Sequence, residues 1–514
     1  MEGIVLGGNL VINKPVTAVW EITMGCNLRC GHCGSSCASP MPDELSTVEA
    51  LRLCDDLAEL GMEWVSLTGG EPTTRLDWDQ IVQRLTSKGV KANLITNGWL
   101  MNEQLLDKAI TAGVNIIAVS IDGLEQTHDM IRKKGSFQRI IQALDLMKER
   151  QIEPMVITTV NQKNLAELWR LKDVLISKGV RGWQVQIGFP MGNLAANREW
   201  VLEPSQVDEV IDIAHRTMLE GKLEVVLGDC LGYYSLKHIE LLKMRTGGCP
   251  SQSCTAGKST FGILHNGDIT ACTSNRDRDF IAGNIRERSL HEIWEDPNSF
   301  AWNRTMKKEM VEGLCGSCRF GEICLGGCST SKLTFGGSVY AENRHCSYNF
   351  SMHRAAEKMN IIEDINVLLV MGREFAEQGL WQKAGLALTE AFRRGADDEA
   401  VFELYGYVSF KLANYTEALQ ANEKIIRYNP GNPYANKGMG LSLCRLGRTE
   451  KGIAYLKKAI GLASPDFMDP YYDLAVIYME NQRLDDALSV IEQSRLVTPE
   501  FAGELYERLL GAKL

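Results

Sequence analysis

Cysteine is the residue type in this sequence whose number and spacing most directly imply chemistry. Fifteen are present, at positions 26, 30, 33, 37, 54, 230, 249, 254, 272, 315, 318, 324, 328, 346 and 444. An odd count argues against a framework of paired disulfides, and closely spaced cysteines in a reducing compartment read as metal or redox ligands. Cys26, Cys30 and Cys33 form a C-x3-C-x2-C run in a loop after an expected strand. Three adjacent thiolates suit an iron–sulfur cluster, which is held by cysteine sulfur. Three protein ligands for four irons leave one iron open to bind something else. Structural zinc is the alternative, and its preference for four closed ligands would require Cys37 or His32 as well. Cys37 is itself a low-ranking catalytic candidate, as a hydrogen-atom or proton donor. Its plainer reading is a free thiol packed as a small hydrophobe.

A second field runs from Cys249 to Cys346. Cys254 is followed by Gly267 and Cys272, then by Cys315-x2-Cys318-x5-Cys324-x3-Cys328 and finally Cys346. With Cys249 the field offers eight thiolates, enough for two fully ligated [4Fe–4S] clusters. One or two zinc ribbons are the alternative, which the uneven spacings disfavour. Residues 221–350 lose hydrophobic periodicity and become rich in Gly, Cys and Ser. Such a segment needs something besides apolar burial to organise it, and metal binding energy can serve as folding energy. Cys54, Cys230 and Cys444 are left as packing residues.

The elements that must position these groups are legible as periodicity. Strand-like runs at 16–23, 64–68, 92–96, 116–121, 155–160 and 183–187 alternate with helical stretches at 47–60, 102–112, 137–150 and 165–178. Glycine commonly ends the helices, as a left-handed cap requires. Six βα units in succession predict a parallel sheet with helices outside it, an α/β partial (β/α)6 barrel. Such barrels place their sites at the carboxyl ends of the strands. Those ends carry Cys26, then Thr68-Gly69-Gly70-Glu71, Thr96-Asn97-Gly98, Ser120-Ile121-Asp122-Gly123 and Asn161. After residue 360 small residues recur at a period of 34, at Gly372, Gly406 and Gly440, with Ala475 one residue late. Ala384, Ala418, Gly452 and Ala487 follow each by twelve. The period predicts an all-α tetratricopeptide solenoid, whose use is a concave surface for another chain.

Cys26, Cys30, His32 and Cys33 together resemble the C-x3-C-x-aromatic-C motif of the radical SAM superfamily. The resemblance implies a [4Fe–4S] cluster whose open iron chelates S-adenosylmethionine. Reductive cleavage of the cosubstrate would then give a 5′-deoxyadenosyl radical that abstracts a substrate hydrogen. His32 would stand where the family sets a ring against the adenine. Gly69-Gly70-Glu71-Pro72 matches the family's GGEP motif, whose backbone edge and carboxylate can hold the cationic amino group. Ser120 and Asp122 fall in its ribose-contacting region, and Asn161 and Asn164 resemble its VNxxN stretch. Asn97, at the third strand end, and Gln186, on the sixth strand beside Gln184, complete the expected cofactor contacts. For Asp122, Asn161 and Gln186 ordinary loop or strand polarity is the competing reading. The second field resembles the seven-cysteine SPASM extension. That resemblance assigns Cys249, Cys254, Cys272 and Cys328 to one auxiliary cluster, and Cys315, Cys318, Cys324 and Cys346 to the other. Three [4Fe–4S] clusters are expected in all.

The chain has 514 residues and a formal charge of −10. That length suggests about three domains at ~150 residues each. We expect a barrel at 1–220, a small irregular iron–sulfur domain at 221–360 and the solenoid at 361–514. There is no basic footprint for nucleic acid and no membrane-spanning run. The first residues lack the marks of a signal peptide, so the cytoplasm is the expected location. SPASM members mostly modify peptides or proteins, so the expected activity is oxidoreductase-type maturation of a ribosomally made peptide or protein, by a crosslink or other modification. The 25 residues before Cys26 are too few for a winged-helix leader-binding domain, which leaves the solenoid as the candidate substrate dock. An electron donor such as flavodoxin or ferredoxin is implied. Sulfatase maturases are similar but carry an acidic residue where Thr273 stands, and often an aromatic where Gly34 stands. Small-molecule cofactor synthesis, and a non-enzymatic electron-transfer scaffold with a protein-docking solenoid, are the other readings.

Overall fold

The computed structural model describes residues 13–228, 231, 235–246, 253–499 and 501–503. Cys230 and Cys249 therefore lie outside the described residues. The chain forms two compact units, one running to Gly316 with Phe320–Phe350, the other Ser317–Arg319 with Ser351 onwards.

In the first unit the six expected strands form a parallel run: β1 (Thr17–Thr23), β2 (Trp64–Gly69), β3 (Lys91–Thr96), β4 (Ile116–Ser120), β5 (Met155–Val160) and β6 (Gly182–Ile187). They lie in that order, each parallel to the next. Parallel sheets are covered on both faces, and β1 shows it, with Trp20 and Ile22 fully buried while Glu21 and Thr23 on the other face are also buried. Side-chain caps start two of the helices, at Ser46 and Asn102. Ser46 and Glu49 form a reciprocal capping box on Thr47–Glu59, satisfying amide donors that the helix itself leaves unpaired. Gly113, at φ +88°, ends the helix Glu103–Ala112 in the left-handed region, which costs glycine nothing.

The segment expected to be irregular contributes four more strands: β7 (Glu224–Leu227), β8 (Thr260–Ile263), β9 (Asp268–Thr270) and β10 (Ile281–Asn284). β7 extends the parallel run beyond β6. β8 pairs in parallel with the opposite edge at β1, and β9 and β10 continue antiparallel, giving ten strands among the described residues in the order β10-β9-β8-β1-β2-β3-β4-β5-β6-β7. β8 thus brings the cysteine-rich segment directly alongside the strand that leads into Cys26.

The second unit is helical. Ile365–Glu377, Trp381–Arg393, Glu399–Lys411, Tyr415–Tyr428, Pro433–Arg445, Thr449–Leu462, Asp469–Glu480 and Leu484–Arg495 follow one another with short turns. The repeating small residues sit where neighbouring helices meet. A Cβ on Gly440 would come within 2.6 Å of Leu456 Cγ and 2.8 Å of the Gly452 carbonyl oxygen. Among the described residues no helix is long and apolar enough to cross a membrane.

Candidate active site

The first cysteine loop leaves β1 at Thr23 and is held in shape by backbone bonds. Cys26 N–H donates to Ala38 O at 2.8 Å, and Ala38 N–H to Met24 O at 3.1 Å. Gly69 and Gly70 let the chain leaving β2 press against this loop. A Cβ on Gly70 would lie 2.2 Å from Gly25 O, and one on Gly69, at φ +134°, 2.2 Å from Thr23 O. The approach permits Gly70 N–H to donate to Thr23 O and Glu71 N–H to Gly25 O, both at 2.8 Å. The two glycines are therefore required by the close passage of two backbones.

All three motif cysteines are partly exposed on this loop. Leu28 N–H points at Cys26 Sγ from 3.4 Å and Asn97 Nδ2 from 3.9 Å. Burial pushes the Cys30 thiol up to about 11, with Arg132 opposing. A hydrogen bond from the Cys37 thiol pulls Cys33 down to about 5. That bond and burial hold Cys37 far above the ordinary thiol range. The thiols act electrostatically on one another. Among the described residues no three His, Cys, Asp or Glu side chains converge as a single metal ion would need. A four-iron cluster asks less, because each thiolate binds a different iron. The donor set, three thiolates with amides aimed at sulfur, fits such a cluster.

The polar residues expected around the cofactor divide by what they touch. Asp122 is fully buried. Its Oδ2 lies 2.8 Å from His32 Nε2 and 2.5 Å from Arg132 Nε, and its Oδ1 accepts from Thr159 N–H at 2.8 Å. Burial alone would raise its carboxyl, but Arg132 and His32 outweigh that and hold it far below the usual range. Asp122 therefore ties the cysteine loop, through His32, to the ends of β4 and β5. Glu71 is likewise buried, its carboxylate accepting from Thr73 N–H and Oγ1, Thr96 Oγ1 and Asn97 N–H. It fixes the turn that Pro72 opens, and its four bonds match the roughly four acceptor positions a carboxylate offers. Asn161 and Asn164 build the turn after β5. Asn164 Oδ1 accepts from Asn161 N–H at 2.8 Å, and its Nδ2 donates to Asp122 O at 3.0 Å. Ser120 closes β4 and is half-buried.

Gln186 donates to Thr159 Oγ1 at 3.2 Å and accepts from Gln184 at 3.1 Å. It lines a cavity of about 150 Å³ together with His32, Ser35, Thr159, Phe189 and Arg276. Arg276 was not legible as a site residue. It follows Cys272 by four positions and pairs with buried Glu21 on β1 and with Ser35 Oγ. Asn193 and Asn197 were missed too. Asn193 donates to Cys30 O at 2.9 Å and Asn197 to Gly31 O at 3.0 Å. Gly192, at φ +50°, brings that segment against the Cys33 and Gly34 carbonyls. A Gly-Asn pair just after the sixth strand was the available signal. Phe189 stands edge-on to Phe335 at 5.8 Å. Phe335 in turn lines a second, more open cavity of about 370 Å³ with Pro190, Arg198, Leu202, Pro204 and His345.

The second cysteine field has a polar scaffold of its own. Cys254, Cys272 and Cys328 pack against the main core, and Cys272 accepts from Thr330 Oγ1 at 3.8 Å. Cys324 and Cys346 form a separate apolar cluster with Cys328 beside it. Burial pushes Cys346 above the ordinary thiol range, and Cys324 and Cys315 add to the rise. Asn349 Nδ2 donates to Cys315 Sγ at 3.1 Å and to Asn343 O. Cys318 belongs to the second compact unit.

Comparison with known proteins agrees with this geometry. Residues 20–175 match the radical SAM superfamily, 254–319 an iron–sulfur cluster-binding SPASM domain, and 369–433 and 438–496 the tetratricopeptide repeat. The AdoMet-dependent heme synthase of Methanosarcina barkeri is 29% identical over 347 residues, 65% of this chain and 97% of that protein. Mycofactocin maturase MftC of Mycobacterium tuberculosis is 26% identical over 353 residues, 68% of this chain and 87% of that protein. Among solved structures, SuiB of Streptococcus suis bound to S-adenosylmethionine shares the fold, with a TM-score of 0.53, 18% identity, and coverage of 65% of this chain and 77% of that one. The cysteine loop at the strand ends and the domain matches agree, and this chain is a radical SAM enzyme with a SPASM domain and tetratricopeptide repeats.

Proposed function

We propose that this enzyme abstracts a hydrogen from a ribosomally made peptide or protein and so installs a crosslink or other modification. The observation that carries the reading is the pair of cavities. The inner one, about 150 Å³, is below the ~300–1,000 Å³ of sites for drug-sized ligands and suits a single side chain. The outer one has a mixed lining, with apolar Pro190, Val201, Leu202, Pro204 and Phe335 beside Arg198, Glu203, Thr334 and His345, as the side chains and backbone of a peptide would need, and its Phe335 touches Phe189 of the inner one. Heme synthesis is the second reading, favoured by the 29% identical relative. A macrocycle asks for far more room than the inner cavity offers.

In this reading Cys26, Cys30 and Cys33 hold one [4Fe–4S] cluster, and the eight cysteines from Cys249 to Cys346 hold two more. When bound, the first cluster and S-adenosylmethionine together supply a carbon radical. The protein's own work is placement. The Gly69–Pro72 turn, Asn97, Ser120, Asn161 and Gln186 border the cosubstrate, His32 is fixed by Asp122, and Arg276 presents a cation neutralised by Glu21 to the substrate space. The barrel takes 1–220, the auxiliary-cluster domain 221–360 and the substrate-docking solenoid 361–514. The setting is cytoplasmic, with a flavodoxin or ferredoxin as reductant. Mass spectrometry of a small peptide encoded beside this gene, before and after anaerobic reaction, tests the substrate. A changed peptide mass supports the reading. Product formation that a porphyrin precursor stimulates and the peptide does not would replace it with heme chemistry.

A further inference from the structure

We propose that Lys332 is a buried cation serving the auxiliary-cluster thiolates as their counter-charge, and that it raises the reduction potential of the cluster it faces. The inference rests on the reading that these cysteines hold iron–sulfur clusters. Lys332 lies in the helix Ser329–Gly336, four residues after Cys328, and is 0% exposed. Its Nζ donates to Leu325 O at 2.8 Å and lies 3.6 Å from Met306 Sδ. The charged groups acting on it most strongly are Cys315, Cys254, Cys324 and Cys328, and among the described residues no carboxylate pairs with it.

An ammonium taken out of water without an opposite charge is strongly disfavoured, and burial accordingly lowers the Lys332 pKa. Lysines at surfaces avoid this by extending the ammonium into solvent; here the whole side chain is enclosed. The fold makes room for it, because a Cβ on Gly326 would come within 3.0 Å of Lys332 Cδ and 3.2 Å of Nζ. Protonated thiols would give this cation no partner, whereas a four-iron cluster with four thiolates carries net negative charge. Reduction adds one electron to the cluster and moves no proton, so the negative charge grows by one. A fixed cation stabilises the reduced form more than the oxidised one, and net charge is among the determinants of cluster potential. Lys332 thereby makes the cluster a better electron acceptor.

The test uses the full chain carrying Cys26→Ala, Cys30→Ala and Cys33→Ala, which leaves only auxiliary iron. After anaerobic reconstitution it is titrated with dithionite and followed by electron paramagnetic resonance. Lys332→Met should lower the midpoint by at least a tenfold change in the reduction equilibrium, about 59 mV for one electron, with iron retained. Lys332→Arg should stay near the unsubstituted protein. An unchanged midpoint in iron-loaded Lys332→Met overturns the proposal. If Lys332→Met and Lys332→Gln lose iron while Lys332→Arg keeps it, the counter-charge is supported through loading. Loss in all three overturns it, since shape and not charge would then matter. Absence of iron from the protein with Lys332 intact contradicts the auxiliary-cluster reading itself, which is a separate result.

Discussion

Asp122 holds together groups far apart in sequence: His32 from the cysteine loop, Arg132 after the helix Glu125–Ile131, and the Thr159 amide of β5. Arg132 has little access to solvent, so removing its partner leaves a buried cation uncompensated. Asp122→Asn should cost about 3–5 kcal/mol of stability, the usual penalty for breaking a buried pair. It should also lower iron loading at Cys26, Cys30 and Cys33 more than at the later cysteines. Thermal melting and iron content measured against the cysteine variants check both effects. The cysteines and Gly69–Pro72 were legible because ligation and close backbone passage constrain neighbours in sequence. Asn193 and Arg276 were not, because each bonds to a loop more than a hundred positions earlier, and Arg132 was not, because it reaches that loop through Asp122 and His32, contacts that only the folded sheet creates.

At the scale of elements, the six central strands were readable because they are apolar runs separated by amphipathic helices. β7 to β10 were not, since each has only three or four residues and gains its identity from the strand it joins. The solenoid was legible from its small residues, yet one half-buried acid escaped notice. Asp473, in the helix Asp469–Glu480, has its carboxyl pushed up to about 6 by burial, with Asp469 adding and Lys437 opposing. The folded chain therefore binds that proton more tightly than the unfolded chain. Stability contributed by this helix falls as pH rises from 3.8 through about 6 and is flat above that window. Asp473→Asn should increase hydrogen-exchange protection of residues 469–480 at pH 7.5, by about 1–3 kcal/mol at ~1.4 kcal/mol per pKa unit. It should also abolish the difference in protection between pH 4.5 and pH 7.5. Persistence of that difference in the variant would assign it to another group.

At the scale of the molecule, we propose that the first unit carries the radical chemistry and that the repeats capture the substrate. Deleting residues 361–514 should weaken peptide binding while uncoupled cleavage of S-adenosylmethionine continues. Equal peptide affinity with and without the repeats, measured by titration calorimetry, would remove the solenoid from recognition. The loop at the end of β1 carries the three cysteines on which the radical chemistry depends. Full-length protein, reconstituted anaerobically and supplied with dithionite and S-adenosylmethionine, should hold about twelve irons per chain at four per cluster and release 5′-deoxyadenosine. Cys26→Ala should hold about four fewer irons and release none. Nucleoside release that survives Cys26→Ala, or none from the unsubstituted protein with its iron in place, would contradict the account.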